Sequence, residues 1–406
     1  MDSVAVRPSQ LQAAADAKRS SAMSNLDILR WLVEFAPEDN FLFFATVSRS
    51  WKAAWGQRPK LTSFVTQDWS ASLLQYSFDN GLPRDHCAVC EMSARMGKLE
   101  LLQCAREHSC PWDEDTSSAA AEEGQLAVLQ WARQNGCPWD SSTPAAAARG
   151  GHVETLEWLR QASCPWNMQT CPAAAAGGHL AALKWARRHG FAWDQHTCAS
   201  AAKGGHLDLL QWARENGCPW DQYTCSWAAR EGHLSLLKWA RNNGCPWDED
   251  TCLYAASRGH VAVLQWAREH ECPWDEFTCE AAARGGHLAT LQWARDNGCA
   301  WDSLTCSRAA QEGHLAVLQW ARQNGCPWDE HTCASAAQNG RLGVLQWARD
   351  NGCPWNERTC LLAAENGHLA ILQWARWKGC PWNKDNCLIA ARVESHFAVA
   401  RWIDGS

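Results

Sequence analysis

Apolar and polar positions alternate along this chain in a helical rhythm that returns again and again. In one copy, Leu234, Leu236, Leu237, Trp239 and Ala240 fall three and four residues apart, which predicts a helix with a single buried face. An earlier helical segment opens at Asp221 and carries the small pair Ala228-Ala229, and the two segments are divided by Gly232-His233. In other copies only Asn replaces that Asp (Asn167, Asn356, Asn383). The two residue types share the ability to accept hydrogen bonds from the free N–H groups of a helix start, so the position reads as an N-cap. Gly244 supplies the left-handed residue that ends the second helix, and Pro246 prevents its continuation. Each unit is therefore predicted to be helix, tight turn, helix, loop.

The copies keep strict phase. Trp112, Trp139, Trp166, Trp193, Trp220, Trp247, Trp274, Trp301, Trp328, Trp355 and Trp382 recur every 27 residues, and a second series from Trp131 to Trp374 keeps the same period. A helix pair this short cannot bury two Trp, several Leu and an Ala pair alone, whereas stacked neighbours can. The fold expected is all-α: a solenoid of about 12 stacked helix-turn-helix repeats spanning residues 69–406, with both Trp stripes packed inside. Worn copies mark its ends, at Leu74 to Asp85 and around Glu394-Ser395-His396, as expected of capping repeats.

The segment Gly232-His233 through Gly244-Cys245, with the Ala228-Ala229 pair before it, resembles the ankyrin repeat position by position. The period here is 27 rather than 33 residues, and the missing six fall where ankyrin repeats project a hairpin finger. The resemblance implies a protein-binding scaffold that uses its helical face and short loops.

Composition narrows the chemistry. A formal charge of −7, from 37 basic and 44 acidic residues, offers no global attraction for phosphate backbones, so nucleic acid is disfavoured as a partner. The 22 Cys of 406 residues form a smaller share than the roughly 8–10% of secreted disulfide scaffolds. Reduced thiols in the cytoplasm or nucleus are expected, since no signal-peptide core or membrane-length apolar run is visible. Cys218, Cys225 and His233 raise the question of zinc. Their spacing is wrong for close Cys pairs, and elsewhere Phe191, Ser117, Pro144, Gln125 and Arg341 take their places, so buried thiols and a structural His are expected and no metal or cofactor. The Arg stripe that follows the helix Trp, as at Arg241 and Arg268, is expected to serve helix ends and nearby carboxylates. No phosphate loop, paired-His motif or nucleophile elbow appears, so the protein reads as a non-enzyme.

Variation concentrates at two phases. The residue before the Thr includes Tyr223 and Phe277, and the residue before the Ala pair changes from Ala or Ser to Trp227, Tyr254 and, later, Arg308. With Arg230, Arg258 and Arg284 close by in sequence, these residues have the composition of a binding hot spot and are the candidate partner-binding set. The rival function is a single-stranded RNA reader, with one variable residue per repeat contacting one base.

Residues 1–25 read as a disordered tail, and 26–68 as short amphipathic helices. Pro37, Asp39, Val47 and Trp51 are similar to the C-terminal half of an F-box, though the opening Leu-Pro of that family is missing. That resemblance implies docking on a Skp-type adaptor of a cullin-type ubiquitin ligase through residues 26–55, with the solenoid choosing the substrate. Otherwise the segment caps the first repeat.

Overall fold

A computed structural model describes residues 70–79 and 87–406, and the F-box-like residues Pro37, Asp39, Val47 and Trp51 lie outside them. All the described secondary structure is helical: Ala71–Asp79, then twelve helix pairs from Ala88–Arg95 and Leu99–Glu107 to Lys384–Val393 and Phe397–Asp404. No described helix is long and apolar enough to cross a membrane. The described residues form two compact units, one of those up to Thr170 with Ala181–Arg188, the other Cys171–Leu180 with His189–Ser406. Within each, the first helices of successive pairs pack side by side, the arrangement of a helical repeat array.

Helix boundaries follow the local signals. Asp221 accepts a hydrogen bond from the Tyr223 N–H at 3.1 Å, and Asn356 does the same for Arg358 at 3.0 Å. Asp248 departs from the rule, because its Oδ1 is buried without a hydrogen-bond partner. Gly244 adopts φ +82° with open space around it, so its conformation alone calls for glycine. Gly232 has a second reason. A Cβ there would stand 2.8–3.1 Å from the ring of His260 in the following repeat. The Gly-His pair is thus one half of two joints: Gly232 seats the next histidine, while His233 Nε2–H donates to the Lys203 carbonyl at 3.2 Å, at the end of the preceding first helix.

The interior is Leu, Ala and Cys. Leu236, Leu237, Ala228, Ala229, Cys225 and Cys245 are each at most 1% exposed. All 22 cysteines are free, and among the described residues no three His, Cys, Asp or Glu side chains gather closely enough to hold a metal. The loop cysteine ties the end of its own repeat back to its start instead, Cys245 Sγ donating to the Asp221 carbonyl at 3.4 Å. A hydrogen bond to the Cys245 thiol, and then burial, raises the Cys225 pKa well above the ordinary thiol range.

The tryptophans correct the expectation of a Trp core. Apart from Trp185 and Trp266, both stripes are only half-buried. Each loop Trp meets the helix Trp of the next repeat, edge to face in most pairs, as in Trp220 with Trp239 at 5.9 Å and 66°, and tilted in Trp166 with Trp185 and Trp382 with Trp402. Its other contact is a cation: the Arg214 guanidinium lies 4.0 Å from the Trp220 ring and donates to the Cys218 carbonyl. Most of the Arg stripe thus meets ring faces and loop carbonyls, and the expected carboxylate is found at Arg160, 3.7 Å from Glu157. Leu, Ala and Cys occupy the buried space between helices, and the half-buried indoles clasp the loops from outside.

Candidate functional site

The second unit carries a groove on its first helices, and the reason lies in one sequence phase. Before the Ala pair stand Ala119, Ala146, Ala173 and Ser200 in the earlier repeats, small enough for close approach of neighbouring first helices. In helices Gln222–Arg230 and Glu249–Ser257 this position becomes Trp227 and Tyr254. Rings of that size cannot enter the Ala-lined seam. They lie half-exposed and parallel, with centroids 6.4 Å apart and planes within 8°. Cations cover them: Lys203 Nζ is 4.6 Å from the Trp227 centroid, and the Arg230 guanidinium is 4.8 Å from Trp227 and 5.9 Å from Tyr254.

Beside this stack opens a groove of about 580 Å³, whose lining includes Arg230, Tyr254, Arg258, Phe277, Arg284 and Glu280. Phe277, which is 47% exposed, gives it an apolar wall. Five of the eight predicted partner-binding residues thus line one cavity, and Trp227 abuts it through Tyr254. The other two are placed differently. Tyr223 is exposed but is not part of the lining, because it sits a full helical turn before Trp227. Arg308 is not displayed as a free cation: its Nε donates to Glu280 at 2.7 Å, and an Nη donates to Gln311 at 2.9 Å.

Three contributors escaped the sequence reading. Glu280 and Glu312 line the groove, and Lys203 covers the aromatic stack from the preceding repeat. Glu280 had a legible signal, since after Glu91 of the first repeat its phase is small or apolar everywhere else, as in Ser226, Leu253, Ser307 and Ala334. Lys203 had none, because its cationic side chain looks like any solvated helix terminus.

The groove's chemistry is that of recognition. It offers guanidinium forks, one ion-paired carboxylate on each of two helices, and an aromatic wall. Its serine, Ser257, donates its hydroxyl proton to the Tyr254 carbonyl at 2.8 Å, and no histidine or cysteine lines the cavity.

No family model and no curated protein matches the chain. Solved structures to which it is similar include the human ASB11 ankyrin repeat domain, at 16% identity and TM-score 0.32, over 39% of this chain and 84% of that one. Another is the pentatricopeptide repeat protein PPR10 in complex with an 18-nt psaJ RNA element, at 14% identity and TM-score 0.36, over 97% of this chain and 68% of that one. Both are repeat proteins by their descriptions, and the chain is a helical repeat array of its own period.

Proposed function

We propose that this protein is a non-catalytic scaffold that holds another protein on the first-helix face of its second unit. The observation that carries the reading is the local change of one repeat phase from Ala or Ser to Trp227 and Tyr254, which builds an aromatic and arginine groove among otherwise uniform repeats. Aromatic and Arg side chains at a partly desolvated patch are the usual anchors of protein interfaces. The RNA-reading alternative is disfavoured by the same geometry, because the Trp227 ring is already stacked on Tyr254 and covered by Lys203 and Arg230. Replacing Trp227, Tyr254 and Phe277 together by Ala should abolish partner capture in a cross-linking purification from the native cell, with helix content unchanged. Capture of the same partners by this variant would refute the reading.

The narrower form of the proposal makes the scaffold the substrate-recruiting part of a cullin-type ubiquitin ligase. It rests on the resemblance of residues 26–55 to an F-box. Co-purification of a Skp-type adaptor with the full chain, and its loss on Trp51→Ala, is the outcome expected of that form.

A further inference from the structure

Resting on the scaffold reading, we propose that the groove takes an extended acidic peptide segment, in which two carboxylates about three residues apart flank an apolar side chain. Charge balance comes first. Glu280 is held by Arg308 at 2.7 Å, and Glu312 lies 3.8 Å from Arg284, so both carboxylates at the groove have a cation already. Arg230, Arg258 and Lys203 form no ion pair among the described residues. Three cations without carboxylates, beside one cavity in a chain of net charge −7, make a local field opposite in sign to the whole. That field selects an anionic ligand and steers its approach.

Geometry narrows the ligand. Arg230 and Arg258 stand at the ends of neighbouring first helices, Gln222–Arg230 and Glu249–Ser257. Packed helices run about 8–10 Å apart, and a chain extended as a polyproline II helix advances about 3.1 Å per residue and returns to the same side every third residue, so two carboxylates three residues apart reach both guanidinium groups. Each planar fork can hold a carboxylate with two parallel hydrogen bonds. The side chain between them then meets Tyr254 and the exposed Phe277, which supply apolar area.

A single-stranded nucleic acid fits less well. Base stacking needs open ring faces, and those of Trp227 carry Lys203 and Arg230. A phosphate backbone also needs a continuous cationic track, whereas the phase of Lys203 and Arg230 turns to Gln311 and Gln338 in later repeats.

The test uses the full chain and fluorescein-labelled short Gly/Ser peptides with a Glu-Leu-Phe-Glu core, read by fluorescence polarisation. The expected result is saturable binding that weakens steeply with salt and falls about tenfold or more when both Glu become Gln, since charged hydrogen bonds are the main anchors. Arg230→Gln with Arg258→Gln should give the same loss, while Arg230→Glu with Arg258→Glu should prefer the Lys-Leu-Phe-Lys peptide. The charge-swapped preference separates lost recognition from lost folding. Equal binding of the Glu and Gln peptides, or stronger binding of oligouridylate through the same arginines, overturns the proposal. A random-peptide selection on the full chain tells the two levels apart. Neutral or basic peptides that depend on Trp227 would overturn the acidic specificity and leave the scaffold standing, whereas an absence of any Trp227-dependent peptide would overturn both.

Discussion

Replacing Gly232 by Ala probes the joint between repeats, and Gly244→Ala is its internal control. The two glycines flank one helix, Leu234–Asn242, and both have left-handed backbones, at φ +78° and +82°. A methyl group at either position incurs the left-handed penalty of an L-residue, about 1–2 kcal/mol. At Gly244 that is the whole effect, because nothing lies within 4 Å of the added carbon. At Gly232 the same carbon would meet three atoms of the His260 ring at 2.8, 2.9 and 3.1 Å. Overfilling a packed site adds about 1–3 kcal/mol, so Gly232→Ala should lose about 2–5 kcal/mol against about 1–2 for Gly244→Ala. Guanidinium unfolding followed by far-UV circular dichroism measures both. Adding His260→Ala removes the obstructing ring, and the double variant should lose less than the sum of the single losses. Equal losses for the two glycines, within about 0.5 kcal/mol, or strict additivity with His260→Ala, would refute the interlock.

The cysteines and the one aspartate that fails to cap its helix give two more outcomes. Cys87 alone is more than slightly exposed, and a hydrogen bond to Asp113 followed by burial pushes its thiol up to about 11; burial pushes Cys90 and Cys164 up to about 12. Ellman's reagent at neutral to mildly alkaline pH should therefore find no fast thiol in the native protein and all 22 after unfolding, and several fast native thiols would contradict this. Burial, with Asp250 and Glu249 beside it, raises the Asp248 pKa above the ordinary 3.8. A carboxyl whose pKa is raised on folding contributes stability that is complete below the unfolded value and lost as pH climbs through the folded one. Asp248→Asn should accordingly raise the melting temperature at pH 7 and not at pH 3, and a gain of equal size at both would dismiss the electrostatic cause.

Repetition made the fold legible. Asp221, Gly232, Gly244 and Pro246 are punctuation whose meaning is local, and each marks a boundary found in the structure. The tryptophans were misread because strict phase signals a structural role without saying whether the ring lies inside or on top. Trp220 keeps its phase by bridging Arg214 and Trp239 at the surface. The groove was half legible. Trp227 and Tyr254 announced themselves by breaking a pattern of small residues. Arg308 did so too, yet its partner Glu280 belongs to the neighbouring first helix, and which cation such a carboxylate claims depends on inter-repeat geometry that no single copy contains.

The Gly-His joint also bears on how such an array can change over generations. Gly232 and His260 belong to successive copies, as do Gly205 and His233, or Gly259 and His287. Within the second unit, cutting out 27 consecutive residues therefore brings a glycine of one copy against the histidine of another, or against Arg341 at the one seam that carries it, in the same relation. A cut one residue longer or shorter sets the wrong side chain over the glycine. Gain and loss of length are thereby quantised in whole copies, while first-helix positions such as Trp227 and Tyr254, which take no part in the seam, are left open to diversify.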